Sequence, residues 1–489
     1  MNRHIIGRST ELEELQQFID TPMAGVLFLR GRRRVGKSTL LMALKDKNPN
    51  IFYFSGILDQ NSQKTLLDYA NFWDQFSKQS YLSNLRHLSW KIIFVHITNY
   101  LKELSRKKRN LVLIFDEIQW IAKTKTGCIG AIKEAYLDWE SLGVKIILCG
   151  SSNKFFEKNS NGDETILRGM RTRRDMWIQP FSLKFLKENY FPNWKDEEIA
   201  MTYMFLGGIP YYLNRITNPE VGFIHSINKA IFSKETIFLD EVDEVLRLEF
   251  NERGLKTVKK ILSSLGEKGK TQSEIVLKTG ISKSTISQMI DSLCEYNILF
   301  TKKLAHKENQ NEAGLVYYLK DFYLRFYFQV LILYKEKISQ NNKGLLFPEI
   351  FHGNYNQYYI PSYSGVAFEM LVKSILNNKG NLTIHLFKIL NIVDCDYEVL
   401  DYWNKETQID IIVEHQKDRI ARILECKWIG ADNNSLAQYI REVKIKKYTP
   451  PKSFSLKYFL VISKNISKEQ KEKAKKEGVE IITLLDLYS

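Results

Sequence analysis

One stretch near the start of the chain limits the fold more than any other. Residues 25–30, GVLFLR, form a short apolar run typical of a buried strand. They continue directly into GRRRVGKST, from Gly31 to Thr39, and then into LLMALKDK, which has helical spacing. The spacing GxxxxGK[ST] needs glycine at Gly31 and Gly36, because the backbone must curl to aim its amides at phosphate, and the helix N-terminus adds positive potential. The sequence therefore predicts a strand, a loop and a helix that bind nucleotide.

Individual residues of this loop have predicted roles. Lys37 would reach the β- and γ-phosphates, and Ser38 would ligate Mg²⁺. The three arginines leave two interpretations open. They could contact nucleotide or a neighbouring subunit, or they could be exposed surface charge. The residues predicted to bind ATP are Gly31, Arg32, Arg33, Arg34, Val35, Gly36, Lys37, Ser38 and Thr39.

A second buried strand ends in two acids. In LVLIFDEIQW, from Leu111 to Trp120, five apolar residues precede Asp116 and Glu117. Transfer of a phosphoryl group to water needs a carboxylate on the metal and a base for the nucleophile, so we assign Asp116 to Mg²⁺ and Glu117 to the base. The alternative is that both acids only begin a loop.

Further strand candidates are IFYF at residues 51–54 and KIILCGSSN at residues 145–153. In a parallel sheet the ligand lies at the carboxyl edge, so Ser151, Ser152 or Asn153 could orient the attacking water or contact the γ-phosphate. A plain turn is the alternative. Four arginines precede a further predicted strand, and one of them could act as an arginine finger for this chain or a neighbour, although surface charge also explains them. They are Arg168, Arg171, Arg173 and Arg174.

Length and composition restrict the class of protein. A chain of 489 residues is too long for one core, so two to four domains are expected. The formal charge of +15 favours a polyanionic partner such as DNA. The five cysteines lack CxxC spacing, and we find neither a signal peptide nor an apolar run long enough to span a bilayer, so we predict a cytoplasmic protein without membrane insertion.

The middle of the chain has the pattern of a helix-turn-helix. Thr271 and Glu274 match a capping box, Gly280 ends that helix, and Ser282 is the predicted N-cap of the next. LFTKKLAHK and GLVYYLKD then read as a two-stranded wing. Winged helices bind DNA, but they also serve as packing modules, and both roles stay open. The residues predicted to face DNA are Lys283, Ser284, Thr285, Ser287 and Gln288, with Lys302 and Lys303 near phosphates.

ILECKWIG, at residues 423–430, places a glutamate and a lysine on one face of a strand. Glu425 and Lys427 alternate with Leu424 and Cys426, and QIDIIVE at residues 408–414 reads as the partner strand of a hairpin. If the loop is centred between residues 417 and 418, Asp410 lies opposite Glu425. Facing Cβ atoms are typically about 5 Å apart, so both carboxylates could share a divalent ion. A solvated strand face is the alternative.

Several segments together resemble the AAA-type ATPases of bacteria and archaea that are related to signal-transduction NTPases. They are GRRRVGKS, DEIQW, the GSS after the next strand, the PFS after the arginines, and LGGIPYYL at residues 206–213. The resemblance implies an α/β fold class: a P-loop parallel-sheet ATPase domain (1–180), a helical lid (181–250), a winged helix-turn-helix (251–335) and a C-terminal α/β restriction-endonuclease-like domain (345–489).

The C-terminal strands resemble the PD-(D/E)xK nuclease core. The resemblance implies that Asp410 and Glu425 are metal ligands, that Lys427 is catalytic, and that Glu369 in the helix GVAFEMLVKSIL adds a third carboxylate. Ile409 stands where the motif's name implies proline. The expected cofactors are ATP and Mg²⁺, with a second divalent ion in the nuclease-like domain.

The sequence thus predicts an ATPase that acts on DNA, in which ATP regulates a metal-dependent nuclease-like domain. The alternative is an ATP-dependent switch or scaffold that binds nucleic acid or protein without cutting. A homo-oligomer is compatible with the sequence, which leaves monomer, dimer and ring open.

Overall fold

The computed structural model describes most of the chain as two compact units, residues 1–180 and 181–489. Within the described residues, no helix is both long enough and apolar enough to cross a membrane. The described residues are 7–57, 62–78, 81–123, 127–151, 155–156, 173–247, 250, 252–266, 269–301, 315–342, 344–352, 359–379, 383–403, 407–428, 436–450 and 454–488.

The first unit contains a five-stranded parallel sheet. Its strands are β1 (Gly25–Arg30), β2 (Ile51–Ser55), β3 (Val112–Asp116), β4 (Lys145–Gly150) and β5 (Arg173–Trp177). Their spatial order is β2-β3-β4-β1-β5, so β4 separates the strand of the phosphate loop from the strand that ends in the acids. The helices are α1 (Ser9–Asp20), α2 (Lys37–Lys47), α3 (Ser62–Ser77), α4 (Trp90–Ser105), α5 (Ile118–Lys123) and α6 (Cys128–Ser141), with a 3₁₀ turn at Leu82–Asn84.

Both faces of this sheet are covered by apolar side chains, which explains the continuous apolar runs in its strands. On one face Phe28 and Phe115 pack among residues of α3, α4 and α6. On the other face Leu29 and Ile114 pack against α1 and α2. The predicted strands of this unit are confirmed, but the prediction that all four arginines precede the edge strand was wrong. The strand begins at Arg173 itself, so Arg173 and Arg174 are part of β5 and do not precede it.

The second unit begins with short helices, continues through a three-helix segment with a small sheet, and ends in a larger sheet. Buried residues from Phe181 to Tyr488 form one continuous core through it. Its helices are α7 (Leu183–Asn189), α8 (Asp196–Leu206), α9 (Pro210–Leu213), α10 (Phe223–Ile231), α11 (Glu241–Arg247), α12 (Glu252–Leu265), α13 (Gln272–Thr279), α14 (Lys283–Glu295), α15 (Phe322–Gln329), α16 (Lys335–Gln340), α17 (Leu346–His352), α18 (Tyr359–Asn377), α19 (Ile384–Leu390), α20 (Leu436–Lys444), α21 (Lys468–Lys476) and α22 (Leu484–Tyr488), with 3₁₀ turns at Pro219–Val221, Ile237–Leu239 and Leu331–Tyr334.

The small sheet and its helices carry the predicted capping signals. Thr271 forms a capping box with Glu274, Gly280 adopts a left-handed φ of 68° after α13, and the Ser282 hydroxyl accepts from the Thr285 amide. β7 (Leu299–Thr301) and β8 (Val316–Leu319) pair antiparallel as predicted. β6 (Lys270–Thr271) adds a third strand beside β8 that the sequence did not reveal, because it is only two residues long.

The larger sheet has the order β13-β12-β11-β10-β9. β9 (Tyr397–Trp403), β10 (Gln408–His415) and β11 (Ile420–Lys427) are antiparallel neighbours, whereas β12 (Ser455–Ile462) and β13 (Val479–Thr483) continue the sheet in parallel. The predicted hairpin register is confirmed, since Ile411 faces Leu424 and His415 faces Ile420. The same register places Asp410 opposite Glu425.

Candidate nucleotide and metal sites

The phosphate loop connects β1 to α2, and its backbone turns sharply. Gly36 is the N-cap of α2 with a φ of 98°, and Arg34 also has a positive φ, of 67°. Lys37 is the first residue of α2 and is 6% exposed, while Ser38 and Thr39 are exposed. The Lys37 ammonium donates to the carbonyl of Gly31 at 2.8 Å and to that of Arg32 at 3.1 Å. The lysine charge is therefore held over the loop.

The loop requires glycine at position 31 for two reasons. Gly31 has a φ of 153°, and a Cβ added there would lie 2.6 Å from the carbonyl oxygen of Ile178. The loop is also anchored by an arginine that the sequence did not predict. Arg8 is 6% exposed and donates to the carbonyls of Val35 at 3.2 Å and Gln179 at 2.8 Å. No local pattern marks Arg8, because its partners are distant in sequence.

The two acids lie at the carboxyl edge of the same sheet. Asp116 is 1% exposed; the Tyr53 hydroxyl donates to its Oδ2 at 2.5 Å, and the Glu117 amide donates to its Oδ1 at 3.0 Å. Burial, with the nearby charge of Asp116, raises the pKa of Tyr53, so this tyrosine keeps its proton and donates it to Asp116. Glu117 has a left-handed φ of 50°. Tyr53 was not predicted, although its strand was.

The predicted serine is close to these acids. Ser151 follows β4, the strand between the loop strand and the acid strand. Gln119, a residue that the sequence analysis did not single out, donates from Nε2 to Glu117 Oε2 and to Ser151 Oγ, the latter at 3.4 Å. The carboxyl ends of β1, β3 and β4 thus bring the loop, the acids and Ser151 to one edge. Ser152 and Asn153 lie outside the described residues.

The predicted arginines are placed in different ways. The Arg33 guanidinium lies 4.9 Å from the centre of the Trp120 ring. The Arg174 guanidinium is 6.0 Å from the centre of the Phe18 ring, on the face of the sheet covered by α1. Arg168 and Arg171 lie outside the described residues. An arginine finger stays a prediction.

In the second unit, the larger sheet and α18 hold the four carboxylates of an acid cluster: Glu369, Asp401, Asp410 and Glu425. Glu425 is 4% exposed, which contradicts a solvated strand face. The Cys426 amide donates to Asp410 Oδ2 at 2.9 Å. The β9–β10 register shifts between Ile409 and Ile412, and such an irregularity can redirect side chains beside a site.

Three lysines compensate this acid cluster, and two of them were not predicted. Lys427 approaches Glu425 at 3.2 Å, and Lys446 approaches the other oxygen of Glu425 at 3.3 Å. Lys373 forms ion pairs with Asp401 and, at 3.4 Å, with Glu369. Lys373 lies one turn after Glu369 in α18, so helical spacing gave a signal for it. Lys446 follows α20, and no sequence pattern indicated that it would contact the cluster.

The charges of the cluster change the ionisation of its members. Burial, followed by the charges of Glu425 and Glu369, raises the pKa of Asp410 to about 8. Burial alone would lower the pKa of Lys427, but Glu425 and Asp410 raise it overall. Burial with Glu369 and Asp401 also raises the pKa of Tyr318 to about 12, so the hydroxyl on β8 lies within electrostatic range of the cluster.

The donor chemistry of the acid cluster suits a divalent ion, because carboxylate oxygens are the ligands that Mg²⁺ prefers. Glu425 Oε2 is buried and accepts no hydrogen bond from the described residues, and the Lys446 ammonium lies 3.3 Å from it, so a metal ion there would take the place of this ammonium. The arrangement is not preassembled, however. Across the described parts of the chain, no group of three or more His, Cys, Asp or Glu side chains is positioned to hold a metal ion. The lysine ammonium groups act as the counter-charges there.

The helix-turn-helix residues form an exposed row on α14. Lys283, Ser284, Ser287 and Gln288 are exposed, and Thr285 is half-buried, while Ile286 and Ile290 of the same helix are buried. The row is therefore accessible to a ligand. Lys302 and Lys303 lie outside the described residues.

Two family models match the chain. Residues 5–216 match an ATPase domain found predominantly in Archaea, and residues 327–439 match archaeal and bacterial proteins of unknown function. The second match includes Glu369, Asp410, Glu425 and Lys427.

Relatives come from Methanocaldococcus jannaschii. An uncharacterized protein is 25% identical over 471 residues, 95% of this chain and 97% of its own length. An uncharacterized ATP-binding protein is 23% identical over 324 residues, 60% of this chain and 91% of its own. Among solved structures, the Aeropyrum pernix ORC2 protein is similar at 11% identity and a TM-score of 0.40, over 70% of this chain and 96% of that one. Drosophila ORC bound to DNA is similar at 12% identity and a TM-score of 0.31, over 64% of this chain and 84% of that one.

The family match at residues 5–216 covers the loop, the parallel sheet and the two acids described above. P-loop domains in general have a lysine at the start of the helix after the loop and acids at the end of another strand of the sheet, and this unit has both. The first unit of this chain is a P-loop ATPase domain.

Proposed function

We propose that the protein binds and hydrolyses ATP with Mg²⁺, acts on DNA, and uses its ATP state to regulate a metal-dependent nuclease-like site in its C-terminal sheet. The observation that carries the first part is the convergence of the loop, the acids and Ser151 at one sheet edge. In this proposal Lys37 moves from the loop carbonyls to the β- and γ-phosphates. Ser38 and Asp116 hold the metal, and Ser151 contacts the γ-phosphate.

Glu117 takes the proton of the attacking water in this scheme. The water oxygen bonds to the γ-phosphorus, the bond from that phosphorus to the bridging oxygen breaks, and ADP and phosphate leave. Mg²⁺, when bound, neutralises charge on the phosphate oxygens. The Tyr53 hydroxyl keeps Asp116 oriented, because it donates to one carboxylate oxygen while the other accepts from the backbone.

DNA is the proposed partner because of the net charge of +15 and the exposed row on α14. We propose that α12, α13, α14 and the small sheet form a winged helix, with α14 in the groove. Small polar side chains at the start of that helix suit base edges, and Lys283 suits a phosphate.

The acid cluster is the proposed second site. Asp410, Glu425 and Glu369 would hold a divalent ion, and Lys427 would orient the attacking water and stabilise the charge that develops on the scissile phosphate. Tyr318 on β8 is near enough for its ionisation to respond to Glu369, which supports a link between the small sheet and the cluster.

One observation favours a second candidate function. The three lysines already compensate the cluster, and the described acids are not positioned as a ready metal site. A switch or scaffold that binds DNA or protein in response to ATP, without cutting, would need no metal ion in this cluster, because the lysines already neutralise its acids. DNA cleavage distinguishes the two candidates, because only the first requires it.

The ATP part is tested by binding and turnover in the full chain. Lys37→Ala removes charge-assisted hydrogen bonds worth about 1.5 to 3 kcal/mol each, so it should weaken ATP binding by about 10-fold to 100-fold or more. Glu117→Gln should bind normally and turn over slowly. Lys47→Ala, an exposed lysine of the same helix, is the control. Normal turnover in both site variants would refute the assignment.

The DNA part is tested by binding to duplex DNA over a range of salt concentrations. Lys283→Ala should weaken binding and lower the slope of log K against log salt by about 1, as expected for one lost phosphate contact. Lys468→Ala, an exposed lysine of α21, should leave the slope unchanged. Equal slopes for wild type and Lys283→Ala would remove α14 as the DNA contact.

A further inference from the structure

One buried amide connects two of the proposed ATP-site residues. Gln119 is 4% exposed and lies on α5, two residues after Glu117. Its Nε2 donates to Glu117 Oε2 and, more weakly, to Ser151 Oγ. It therefore joins the acid at the end of β3 to the serine at the end of β4.

The opposite orientation of the amide would place its oxygen against the Glu117 carboxylate, where two acceptors repel each other. The observed donation from Nε2 is therefore the stable arrangement while Glu117 is ionised. Gly150, the last residue of β4, leaves room for the amide in this position. A Cβ added to Gly150 would lie 2.2 Å from Gln119 Oε1, so the amide would have to shift to accommodate a larger residue.

We infer that Gln119 is a positioning residue for ATP hydrolysis, because its amide holds the Glu117 carboxylate in the orientation that accepts the proton of water and links it to Ser151. This inference rests on the proposed function, in which Glu117 is the base and Ser151 contacts the γ-phosphate. In that scheme the Gln119 side chain alone would connect the γ-phosphate contact at Ser151 to the base, Glu117.

A packing role for Gln119 would predict a loss of stability without a specific change in catalysis. A positioning role predicts that the rate falls while nucleotide affinity stays the same. Gln119→Leu keeps the approximate volume and removes the donor, so kcat should fall about 10-fold to 100-fold, with the Kd of a non-hydrolysable ATP analogue unchanged within about 2-fold. Gly150→Ala should give the same pattern, because it displaces the amide without altering its chemistry.

A third variant tests the reach of the hydrogen bond. Gln119→Asn keeps the amide but shortens the side chain by one methylene, so its donor can no longer approach Glu117 Oε2 as Gln119 does. We expect kcat to fall as in Gln119→Leu, with the Kd of the analogue unchanged within about 2-fold. A merely structural role predicts a lower melting temperature with no change in kcat.

The experiment measures steady-state ATPase rates of the full-length variants, with analogue binding and thermal melting of each. Gly130→Ala is the control, because nothing lies within 4 Å of a Cβ at that helical glycine. Wild-type rates in Gln119→Leu or Gln119→Asn, or a loss of analogue affinity as large as the loss of kcat, would overturn the inference while leaving the ATPase proposal intact. Absence of turnover in the wild type would overturn both.

Discussion

Replacing Asp410 by asparagine should make the free energy of unfolding less sensitive to alkaline pH. The pKa of Asp410 is raised to about 8 by burial and by Glu425 and Glu369, whereas in the unfolded chain it is about 4. The folded state therefore binds this proton more tightly than the unfolded state does. The resulting stabilisation is fully present below about pH 4 and is lost as the pH rises toward 8.

The magnitude follows from the slope of linkage. A single group that is protonated only in the folded state changes the free energy of unfolding by at most about 1.4 kcal/mol per pH unit. Between pH 5 and 8 the wild type should lose up to about 4 kcal/mol from this carboxyl, and we expect about half of that because the side chain keeps partial contact with water. Asp410→Asn cannot titrate, and its amide oxygen can still accept from the Cys426 amide.

The assay is urea denaturation of the full chain at pH 5, 6, 7, 8 and 9. At each pH, the free energy of unfolding of wild type and variant is compared for the transition that the substitution shifts. The stability of Asp410→Asn relative to wild type should rise steadily from pH 5 to 8. Glu274→Gln is the control. Hydrogen bonds from the Thr271 amide and hydroxyl lower the pKa of Glu274, so this carboxyl is ionised in both states above about pH 6 and its effect should be constant from there upward. A constant difference for Asp410→Asn would refute the raised pKa.

Two further predictions concern local backbone features. Gly31→Ala should abolish nucleotide binding, because its Cβ would lie 2.6 Å from the Ile178 carbonyl oxygen; titration with an ATP analogue measures this, and wild-type affinity would contradict it. Thr271→Ala should lower the stability of its unit by about 1 kcal/mol, because the hydroxyl caps α13 and pairs with Glu274. Denaturation midpoints check the second prediction, with Ser292→Ala, whose hydroxyl contacts a carbonyl one turn earlier in α14, as the comparison.

The predictable parts of this fold were those with local signals. The strand and helix around Gly31, the strand ending at Asp116 and the caps of α13 follow from short-range rules, and the structure has them where the sequence placed them. The hairpin register that sets Asp410 opposite Glu425 was also predictable, because a short loop leaves few choices.

The unpredicted parts depend on residues far apart in the sequence. Arg8 contacts Gln179, and Lys446 contacts Glu425 and the Gln408 carbonyl, with no periodic pattern to relate them. Tyr53 reaches Asp116 only because β2 and β3 are neighbours in the sheet. Of the acid cluster and its lysines, the sequence located Glu369, Asp410, Glu425 and Lys427. It did not locate Asp401, Lys373 or Lys446, which come to the cluster from other elements or from a helical neighbour position.

Cleavage of plasmid and linear DNA by the purified full chain tests whether ATP controls a metal-dependent nuclease site in this protein. Wild type, Lys427→Ala and Lys37→Ala are incubated with Mg²⁺ or Mn²⁺, with and without ATP. We expect metal-dependent cleavage by wild type, loss of cleavage in Lys427→Ala, and a response to ATP that Lys37→Ala lacks. Equal inertness of wild type and Lys427→Ala on every substrate and metal would contradict the nuclease claim and leave the switch or scaffold.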